Sequence, residues 1–498
     1  MKKIVISLFI AVIVLLGLVF RLGPVLEERD FWYDEAFTGI LLKQPWSEMN
    51  QMIFADVHPP LYYWLTKPWA SFFEYSPVAI RSFSVFMGIL TILSVYWIGK
   101  KMFNERAGLL AALITAISPF AIQYSQEARM YALFGLLMVW ATWFFYRALK
   151  FHQWRDWVLW GVFGGLAYLT HYLSLFFFII FFATAVFYEY KFNKKLFRKA
   201  LLLTKQFWAG TGVIFLFFLA WMPYFIPHMM KGNLGWIGVS YLSDIPKTLQ
   251  IFLFGHPLGA GGVPMANEFN YFFDSSSAGL LIMIMIVVFL GISWKKKAKR
   301  EEFAVLSILS LGTLVFLIVL SHFNLKLYVS RYFMPAAIMI YLLIAGMATV
   351  LFKKAWSWLI VIGIFAFLIL TLKPIGYSSH WYQASQLIQE SVPNNLKIIT
   401  TNPFDYTSMR YYLGDERLKY YNKANPMEDF SQWVVVGNYN RLENVQQINA
   451  LENFVILDWT CDWEGIELEQ VDSFNNLKIC HRVKEEKPYE IKEIEEKK

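Results

Sequence analysis

Long apolar runs alternate with short charged or aromatic segments along most of the chain. A transmembrane helix needs about 20 mostly apolar residues, and this criterion predicts eleven spans. They cover residues 4–24, 79–99, 107–123, 130–148, 157–170, 173–189, 207–228, 278–294, 303–322, 333–352 and 355–373. We therefore predict a polytopic α-helical membrane protein over residues 1–374.

Residues 375–498 have a different pattern. The segments LKIITT, QWVVVGN and NFVILDW are typical of strands, and SHWYQASQLIQESVP is typical of a helix ended by Pro393. The pattern predicts a small α/β domain followed by a charged tail. This domain contains Cys461 and Cys480, and a disulfide between them is an open alternative in an oxidising compartment.

The composition supports a membrane protein and gives its orientation. Of 498 residues, 57% are hydrophobic and only 16% are charged, against about 25% charged in soluble domains. Lysine and arginine cluster on alternate short loops, as in KFNKKLFRKALLLTK and WKKKAKR, which indicates topology signals rather than nucleic-acid binding. We predict a multi-pass protein of the plasma membrane, with the N-terminus inside and the C-terminal domain outside.

The first outer loop, residues 25–78, contains paired acids among aromatic residues in DFWYDEAFTG. The apolar spacing of the residues that follow favours a helix in the interface plane. An ionised carboxylate outside the membrane can act as a general base on a hydroxyl, and we assign this role to Asp34. Glu35 points about 100° away on a helix, so we expect it to orient an acceptor or a cation instead.

The same loop continues with DVHPPLYY. Proline is favoured at the first helical position, and the N–H groups of a helix start attract an anion. His58 adds a donor there, and Asp56 is a supporting acid. The chemistry requires no cofactor, although a divalent cation bridging Asp34, Asp56 and a phosphate is an open alternative.

Further polar residues stand at the predicted outer ends of other spans. Cations at headgroup depth suit a phosphate, whereas snorkelling is the alternative for each of them. The candidates for donor and phosphate binding are His58, Arg81, Arg129, Tyr131, His171, Lys326 and Arg331, with Glu127 as a further support.

Four segments in this order carry a resemblance to a known group: YDE, D-x-HPPLYY, SQEARMYAL and SRYFMPA. Over roughly residues 1–350 the chain resembles the GT-C superfamily of membrane glycosyltransferases. Within it, the chain is similar to the branch of protein O-mannosyltransferases and the lipid A aminoarabinose transferase. The resemblance implies a polyprenyl-phosphate sugar donor and an inverting displacement. It also implies that Asp34 deprotonates the acceptor, that Glu35 is the second acid of a dyad, and that Arg129 and Arg331 lie near the carrier phosphate.

The sequence departs from this group at two points. The aminoarabinose transferase pattern has Glu-Lys before the paired prolines, whereas this chain has Val57 and His58. A lysine clamp or a metal site therefore does not carry over. The C-terminal domain does not match the soluble domains of the mannosyltransferases, so a protein acceptor does not follow.

Together these observations predict a glycosyltransferase of the outer membrane face. It would move a hexose or a pentose from a lipid-linked donor to an envelope lipid, polymer or protein. The predicted partners include the lipid bilayer and do not include nucleic acid. A polytopic lipid or polysaccharide transporter is one alternative and predicts charges near the bilayer midplane. A membrane scaffold with a binding tail is the other, and it predicts no role for Asp34.

Overall fold

The computed structural model has two compact units. The first comprises Met1–Glu28, His58–Pro227 and Leu234–Tyr377, and the second comprises Arg29–Val57, His228–Asn233 and Ser378–Lys498. The structure describes residues 2–27, 30–194, 196, 203–231, 237–255, 265–267, 277–295, 299–351, 372–374, 381–391, 396–400, 403–414, 417–421, 441–442, 451, 454–458, 468–474 and 477–482.

The described elements are numbered here in chain order. They are α1 Lys2–Leu26, α2 Tyr33–Lys43, α3 Trp46–Ala55, α4 Leu61–Ser71, α5 Pro77–Met102, α6 Glu105–Ile117, α7 Pro119–Gln126, α8 Tyr131–Phe151, α9 Trp154–Tyr168, α10 Ser174–Lys191, α11 Lys205–Lys231, α12 Asp244–Phe254, β1 Met265–Asn267, α13 Ser277–Lys295, α14 Arg300–Ser307, a π-helical turn Ile308–Gly312, α15 Thr313–Ser321, a 3₁₀ turn Ser330–Phe333, α16 Met334–Leu351, β2 Leu372–Pro374, α17 Trp381–Ser391, β3 Lys397–Thr400, α18 Pro403–Leu413, β4 Leu418–Tyr421, β5 Arg441–Leu442, β6 Phe454–Asp458, β7 Leu468–Phe474 and β8 Leu477–Arg482.

The first unit is a bundle of apolar helices, which confirms the predicted polytopic α-helical class. Among the described residues, seven helical segments are long and apolar enough to cross a membrane, and the bent pair α6–α7 makes up to eight. The predicted spans 157–170 and 278–294 are also helices, namely α9 with 15 residues and α13 with 19 residues. The predicted span 355–373 lies outside the described residues.

Helices α5 and α6 pack closely because glycines face each other between them. A Cβ atom on Gly108 would lie 2.4 Å from the carbonyl oxygen of Tyr96, and one on Gly99 would lie 3.1 Å from the Cα atom of Gly108. Small residues permit this backbone approach between membrane helices, where association depends on close packing. The contact fixes α5 and α6 against each other, and both helices support the site described below.

The second unit contains a six-stranded mixed sheet in the order β5-β4-β3-β6-β8-β7. Strands β5, β4, β3 and β6 are parallel, whereas β8 is antiparallel to both β6 and β7. The predicted strands LKIITT and NFVILDW correspond to β3 and β6, and the predicted helix corresponds to α17. The predicted strand QWVVVGN, Pro393 and Cys461 lie outside the described residues.

Helices α17 and α18 pack on this sheet through an apolar core. Its buried members are Ala384, Ile388, Leu396, Ile398, Tyr406, Met409, Leu418 and Tyr420. The unit also includes residues 29–57 of the first outer loop, because α2 packs against α18. The acids of DFWYDEAFTG are thus part of the same folded unit as the C-terminal sheet.

Candidate active site

The first unit gathers several of the predicted phosphate-binding residues around the start of α4. The Nη2 atom of Arg129 lies 3.0 Å from the Nε2 atom of His58. Because a guanidinium can only donate hydrogen bonds, Nε2 of His58 must accept this one. His58 is therefore a neutral imidazole with its proton on Nδ1. The N–H donor of His58 is then Nδ1 rather than Nε2.

The paired prolines stand just before α4 and not at its first position. Pro60 is the N-cap residue, and α4 begins at Leu61. The N–H of Leu61 donates to the carbonyl of Leu169 at 2.9 Å. One of the helix-start donors is therefore used to join α4 to the loop between α9 and α10, which contains His171.

The backbone of Arg129 is held by a hydroxyl pair from α4 and α5. The Oγ atom of Ser84 donates to the carbonyl of Arg129 at 3.3 Å and lies 3.3 Å from the hydroxyl of Tyr62. Arg81 precedes Ser84 by three residues on α5, so the two side chains share one face of the helix. Arg81 and Arg129 are both buried inside the protein, which argues against snorkelling to the lipid headgroups as their role.

His171 lies among aromatic rings in the loop after α9. Its ring centroid is 5.1 Å from that of Phe134, 4.8 Å from that of Tyr332 and 6.2 Å from that of Tyr131. The N–H of Leu173 donates to Nδ1 of His171 at 3.1 Å, so the proton of the neutral ring is on Nε2.

The surroundings of His171 favour this neutral form. Burial, together with the nearby His58, Arg129 and Arg331, lowers the pKa of His171 to about 3. Part of the ring is accessible to solvent, because the residue is half-buried. At neutral pH, His171 therefore offers an uncharged N–H donor.

The remaining predicted residues differ in how closely they join this cluster. Arg331 lies in the 3₁₀ turn, next to Tyr332 and near enough to His171 to affect its titration. Tyr131 opens α8 and contacts Tyr332 as well as His171. Lys326 is half-buried in the extended segment before the turn, and none of its described contacts joins it to the cluster.

Glu127 is a buried acid at the end of α7, two residues before Arg129. Its Oε1 atom accepts a hydrogen bond from Nε2 of Gln123 at 3.3 Å. It also lies close enough to Tyr124 to affect that side chain electrostatically, as does Arg331. Glu127 is therefore placed to balance part of the positive charge of the arginines.

Sequence reasoning missed three members of the cluster: Tyr62, Ser84 and Tyr332. Tyr62 follows the prolines directly, and Tyr332 is the neighbour of Arg331, so both stood inside segments that were already singled out. Ser84 had no signal of this kind, because a lone serine within an apolar span is most often bonded to its own helix.

The paired acids belong to the second unit and have different surroundings. Trp32 is the N-cap residue of α2, and its backbone N–H donates to Oε2 of Glu35 at 3.4 Å, the reciprocal bond of a capping box. Glu35 is 1% exposed and Asp34 is 9% exposed. Glu35 thus helps to close the helix start, and Asp34 is the slightly more exposed of the two buried acids.

Helix α2 is held by aromatic residues of α18. The N–H of Phe31 donates to the hydroxyl of Tyr412 at 2.9 Å, and the Nζ atom of Lys43 lies 3.7 Å from the ring centroid of Tyr411. The residues from Asp34 to Leu42 are all buried. The predicted helix is present and its apolar side chains are buried, while its position in the plane of a membrane interface stays a prediction.

Asp56 is the C-cap residue of α3 and is also buried. Within the described part of the chain, no group of three or more histidine, cysteine, aspartate or glutamate side chains is arranged to hold a metal ion. The divalent cation between Asp34, Asp56 and a phosphate therefore stays a prediction without a structural argument in its favour.

These two sets of residues suit different chemistry. The set in the first unit combines two arginines, two neutral histidines and aromatic rings, which suits an anion such as a phosphate. The set in the second unit presents a carboxylate at a helix start, which can accept a proton. Neither set resembles a redox centre or a nucleophile activated by a base.

Comparisons with known proteins agree with the helical architecture. A family model described as dolichyl-phosphate-mannose-protein mannosyltransferase matches residues 57–224. This segment includes His58, Arg81, Arg129, Tyr131 and His171. No curated protein matches the chain at a comparable level.

Solved structures show the same fold at low sequence identity. The chain is 12% identical to ArnT from Cupriavidus metallidurans in the apo state, with a TM-score of 0.64 over 96% of this chain and 98% of that one. The structure of that protein bound to undecaprenyl phosphate gives a TM-score of 0.61 at 12% identity, over 95% and 97% of the two chains.

A second similar structure is that of the archaeal oligosaccharyltransferase AglB from Archaeoglobus fulgidus in complex with an inhibitory peptide and a dolichol-phosphate. It is 14% identical with a TM-score of 0.51, over 83% of this chain and 64% of that chain. The chain is thus a multi-pass membrane protein with the fold of the GT-C superfamily. Over nearly its full length, that fold is similar to the fold of ArnT.

Proposed function

We propose that this chain is a membrane glycosyltransferase that moves a sugar from a polyprenyl-phosphate donor to an acceptor of the cell envelope. The acceptor would be an envelope lipid, polymer or protein, and transfer would take place on the extracytoplasmic face. The alternating charge of the loops supports this orientation. The undecaprenyl phosphate bound by ArnT and the dolichol-phosphate bound by AglB support the class of donor.

The observation that carries this proposal is the cluster of Arg129, Arg331, His58 and His171. Two arginines near the outer end of a membrane bundle provide the fixed positive charge that a carrier phosphate needs. The histidines add hydrogen-bonding groups without adding charge. The rings of Tyr131 and Tyr332 pack beside His171, and electrostatic interactions are stronger next to such apolar groups than in bulk water.

The chemistry that follows is a direct displacement at the anomeric carbon. A phosphate is a good leaving group when its charge is stabilised, so no strong general acid is required. The acceptor hydroxyl must lose a proton as it attacks, and we assign this step to the carboxylate of Asp34. Attack opposite to the leaving phosphate inverts the anomeric configuration. Glu35, which accepts the N–H of Trp32, would hold the start of α2 and so orient Asp34.

Asp34→Asn tests the base directly. The purified variant should bind polyprenyl phosphate as the wild type does, because the proposed phosphate ligands are intact. It should lose transfer activity by about 100-fold or more, which is within the range for general-base catalysis. Each variant is expressed in a deletion strain. Transfer is then measured as the amount of labelled sugar that moves from a host lipid extract onto the envelope acceptors of that strain.

Two control variants separate catalysis from helix stability. Asp244→Asn changes another acid in the first turn of a helix and should leave transfer unchanged. Glu35→Gln keeps a side-chain acceptor for the Trp32 N–H and should reduce transfer less than Asp34→Asn does. A folded Asp34→Asn variant with full transfer activity would contradict the assignment.

A further inference from the structure

Arg21 is a fully buried arginine in the last turns of α1. Its Nη1 atom donates to the carbonyls of Ala116 at 2.9 Å and Gly17 at 3.1 Å, and its Nη2 atom donates to the carbonyl of Thr115 at 2.7 Å. Arg21 is neither an exposed headgroup contact nor a member of the phosphate cluster. Its side chain instead binds the end of another helix.

The sequence explains why the end of α6 needs this partner. In a continuous helix the carbonyl of Thr115 would accept the N–H of residue 119, but residue 119 is a proline and has none. Helix α6 therefore ends at Ile117, and α7 starts at Pro119 with a bend of 59°. The unbonded carbonyls carry the negative end of the helix dipole, which favours a cation. Arg21 supplies both the charge and the missing donors.

We call the hydrogen bonds from Arg21 to the carbonyls of Thr115 and Ala116 the clamp. Helix α7 is attached to α1 at a second point beside it. The Nε2 atom of Gln126, the last residue of α7, donates to the carbonyl of Phe20 at 2.7 Å. At the start of α7, Ser118 accepts the N–H of Ala121 at 3.2 Å. Both ends of this short helix are thus fixed by hydrogen bonds, one of them to the residue just before Arg21.

A glycine on α5 makes room for the clamp. A Cβ atom on Gly88 would lie 3.0 Å from Nε of Arg21 and 2.4 Å from Oγ of Ser125. Thr91 and Ser125, together with Arg21 itself, line a small cavity at the same place. Across the described part of the chain, Nε of Arg21 has no protein hydrogen-bond partner, so the guanidinium depends on the carbonyls of α1 and α6.

We propose that Arg21 is a positioning residue for Arg129. Helix α7 leads directly into Glu127 and Arg129, and Arg129 belongs to the proposed phosphate cluster. Arg21 fixes the break between α6 and α7. It thereby fixes the position of α7 and of Arg129, which follows α7 and contacts His58. This inference rests on the proposed function for its effect on donor binding, but the clamp itself can be measured without a ligand.

The test compares Arg21→Met and Arg21→Lys with Arg147→Met in the full-length protein in nanodiscs. Arg147 pairs with the buried Asp156 at 3.1 Å on α9, so its removal perturbs the same bundle away from α7. Hydrogen–deuterium exchange of residues 119–131 measures the clamp. Isothermal titration calorimetry with a polyprenyl phosphate measures whether loss of the clamp weakens binding.

We expect Arg21→Met to speed exchange in residues 119–131 at least fivefold and to weaken polyprenyl-phosphate binding about tenfold. Arg21→Lys should be intermediate, because it keeps the charge but loses the planar fork. Arg147→Met should speed exchange in residues 154–168 and leave binding unchanged.

Unchanged exchange in residues 119–131 of Arg21→Met would overturn the proposal, and so would faster exchange with unaltered binding. An equal loss of binding in Arg147→Met would also overturn it, because the effect would then be general to the bundle. If the wild type does not bind polyprenyl phosphate, the proposed function fails. The exchange measurement then decides the clamp by itself.

Discussion

His171 gives a prediction with a defined sign and pH window. The environment of its ring lowers its pKa from the ordinary 6.5 to about 3, so the folded protein holds the neutral form while the unfolded chain takes up a proton below about pH 6.5. The unfolded state therefore binds more protons in acid. The stability contributed by neutral His171 is fully present above about pH 6.5 and is lost as the pH falls toward 3.

The size of the effect follows from the shift. A single proton changes the free energy of unfolding by about 1.4 kcal/mol for each pH unit within this window. Between about pH 8 and pH 5 the loss would reach about 2 kcal/mol if the full shift applied. Because part of the ring is accessible to solvent, screening reduces the effect, and we expect about 1 kcal/mol.

The assay compares wild type with His171→Gln, which has a similar shape and does not titrate. Chemical unfolding in a detergent micelle is followed at several pH values between about 8 and 5, above the range where most carboxylates titrate. The wild type should lose about 1 kcal/mol more stability than the variant over this interval. Parallel curves for the two proteins would refute the reasoning, and a steeper curve for the variant would reverse its sign.

Two further substitutions test the phosphate cluster and the packing of α2. Arg129→Gln should weaken polyprenyl-phosphate binding by about 10- to 150-fold, because a hydrogen bond to a charged group contributes about 1.5–3 kcal/mol. Lys326→Gln, outside the described cluster, should change binding less than twofold, and equal losses would contradict the assignment. Gly39→Ala should destabilise the second unit by about 1–3 kcal/mol, since the added Cβ would lie 2.4 Å from a ring atom of Tyr411. Thermal unfolding measures the change, and Gly212→Ala is the control because an added Cβ there has nothing within 4 Å. Equal stability of the two variants would count against this packing.

The helical bundle was predictable because each span has to be apolar over a length set by the bilayer. That constraint acts on every residue of a span and is therefore visible in a single sequence. It gave the positions of α9 and α13, but it did not reveal that α9 is only 15 residues long. Helix length depends on the turns at each end, where a few polar residues decide the outcome.

The site was predictable in its residue types but not in its grouping. Arg129 and His58 are separated by 71 residues and meet because α4 and α7, the helices beside them, both pack on α5. The sequence marked Arg129 by its place at a span end and His58 by its place before the paired prolines. It did not indicate that His58 accepts a hydrogen bond from Arg129, because the tautomer of a histidine follows from its neighbours in space.

The placement of the acids shows the same limit. The sequence indicated that Asp34 and Glu35 have different roles, since adjacent helical residues point in different directions. The contact of Glu35 with the Trp32 N–H needs only local geometry. The packing of α2 against α18, by contrast, joins residues more than 350 positions apart, and nothing in the local pattern of DFWYDEAFTG indicates it.

In the proposed phosphate site, the two arginines supply positive charge and the two histidines supply hydrogen bonds. A histidine with an unperturbed pKa changes its charge near neutral pH, so a phosphate site that relied on its charge would change with pH. The hydrogen bonds from Arg129 to His58 and from Leu173 to His171 instead favour the neutral ring in each case. The positive charge then comes from guanidinium groups, which do not titrate in the physiological range. A cluster built in this way holds its charge constant while the histidines supply direction, so the affinity for a carrier phosphate depends on where Arg129 and Arg331 are fixed.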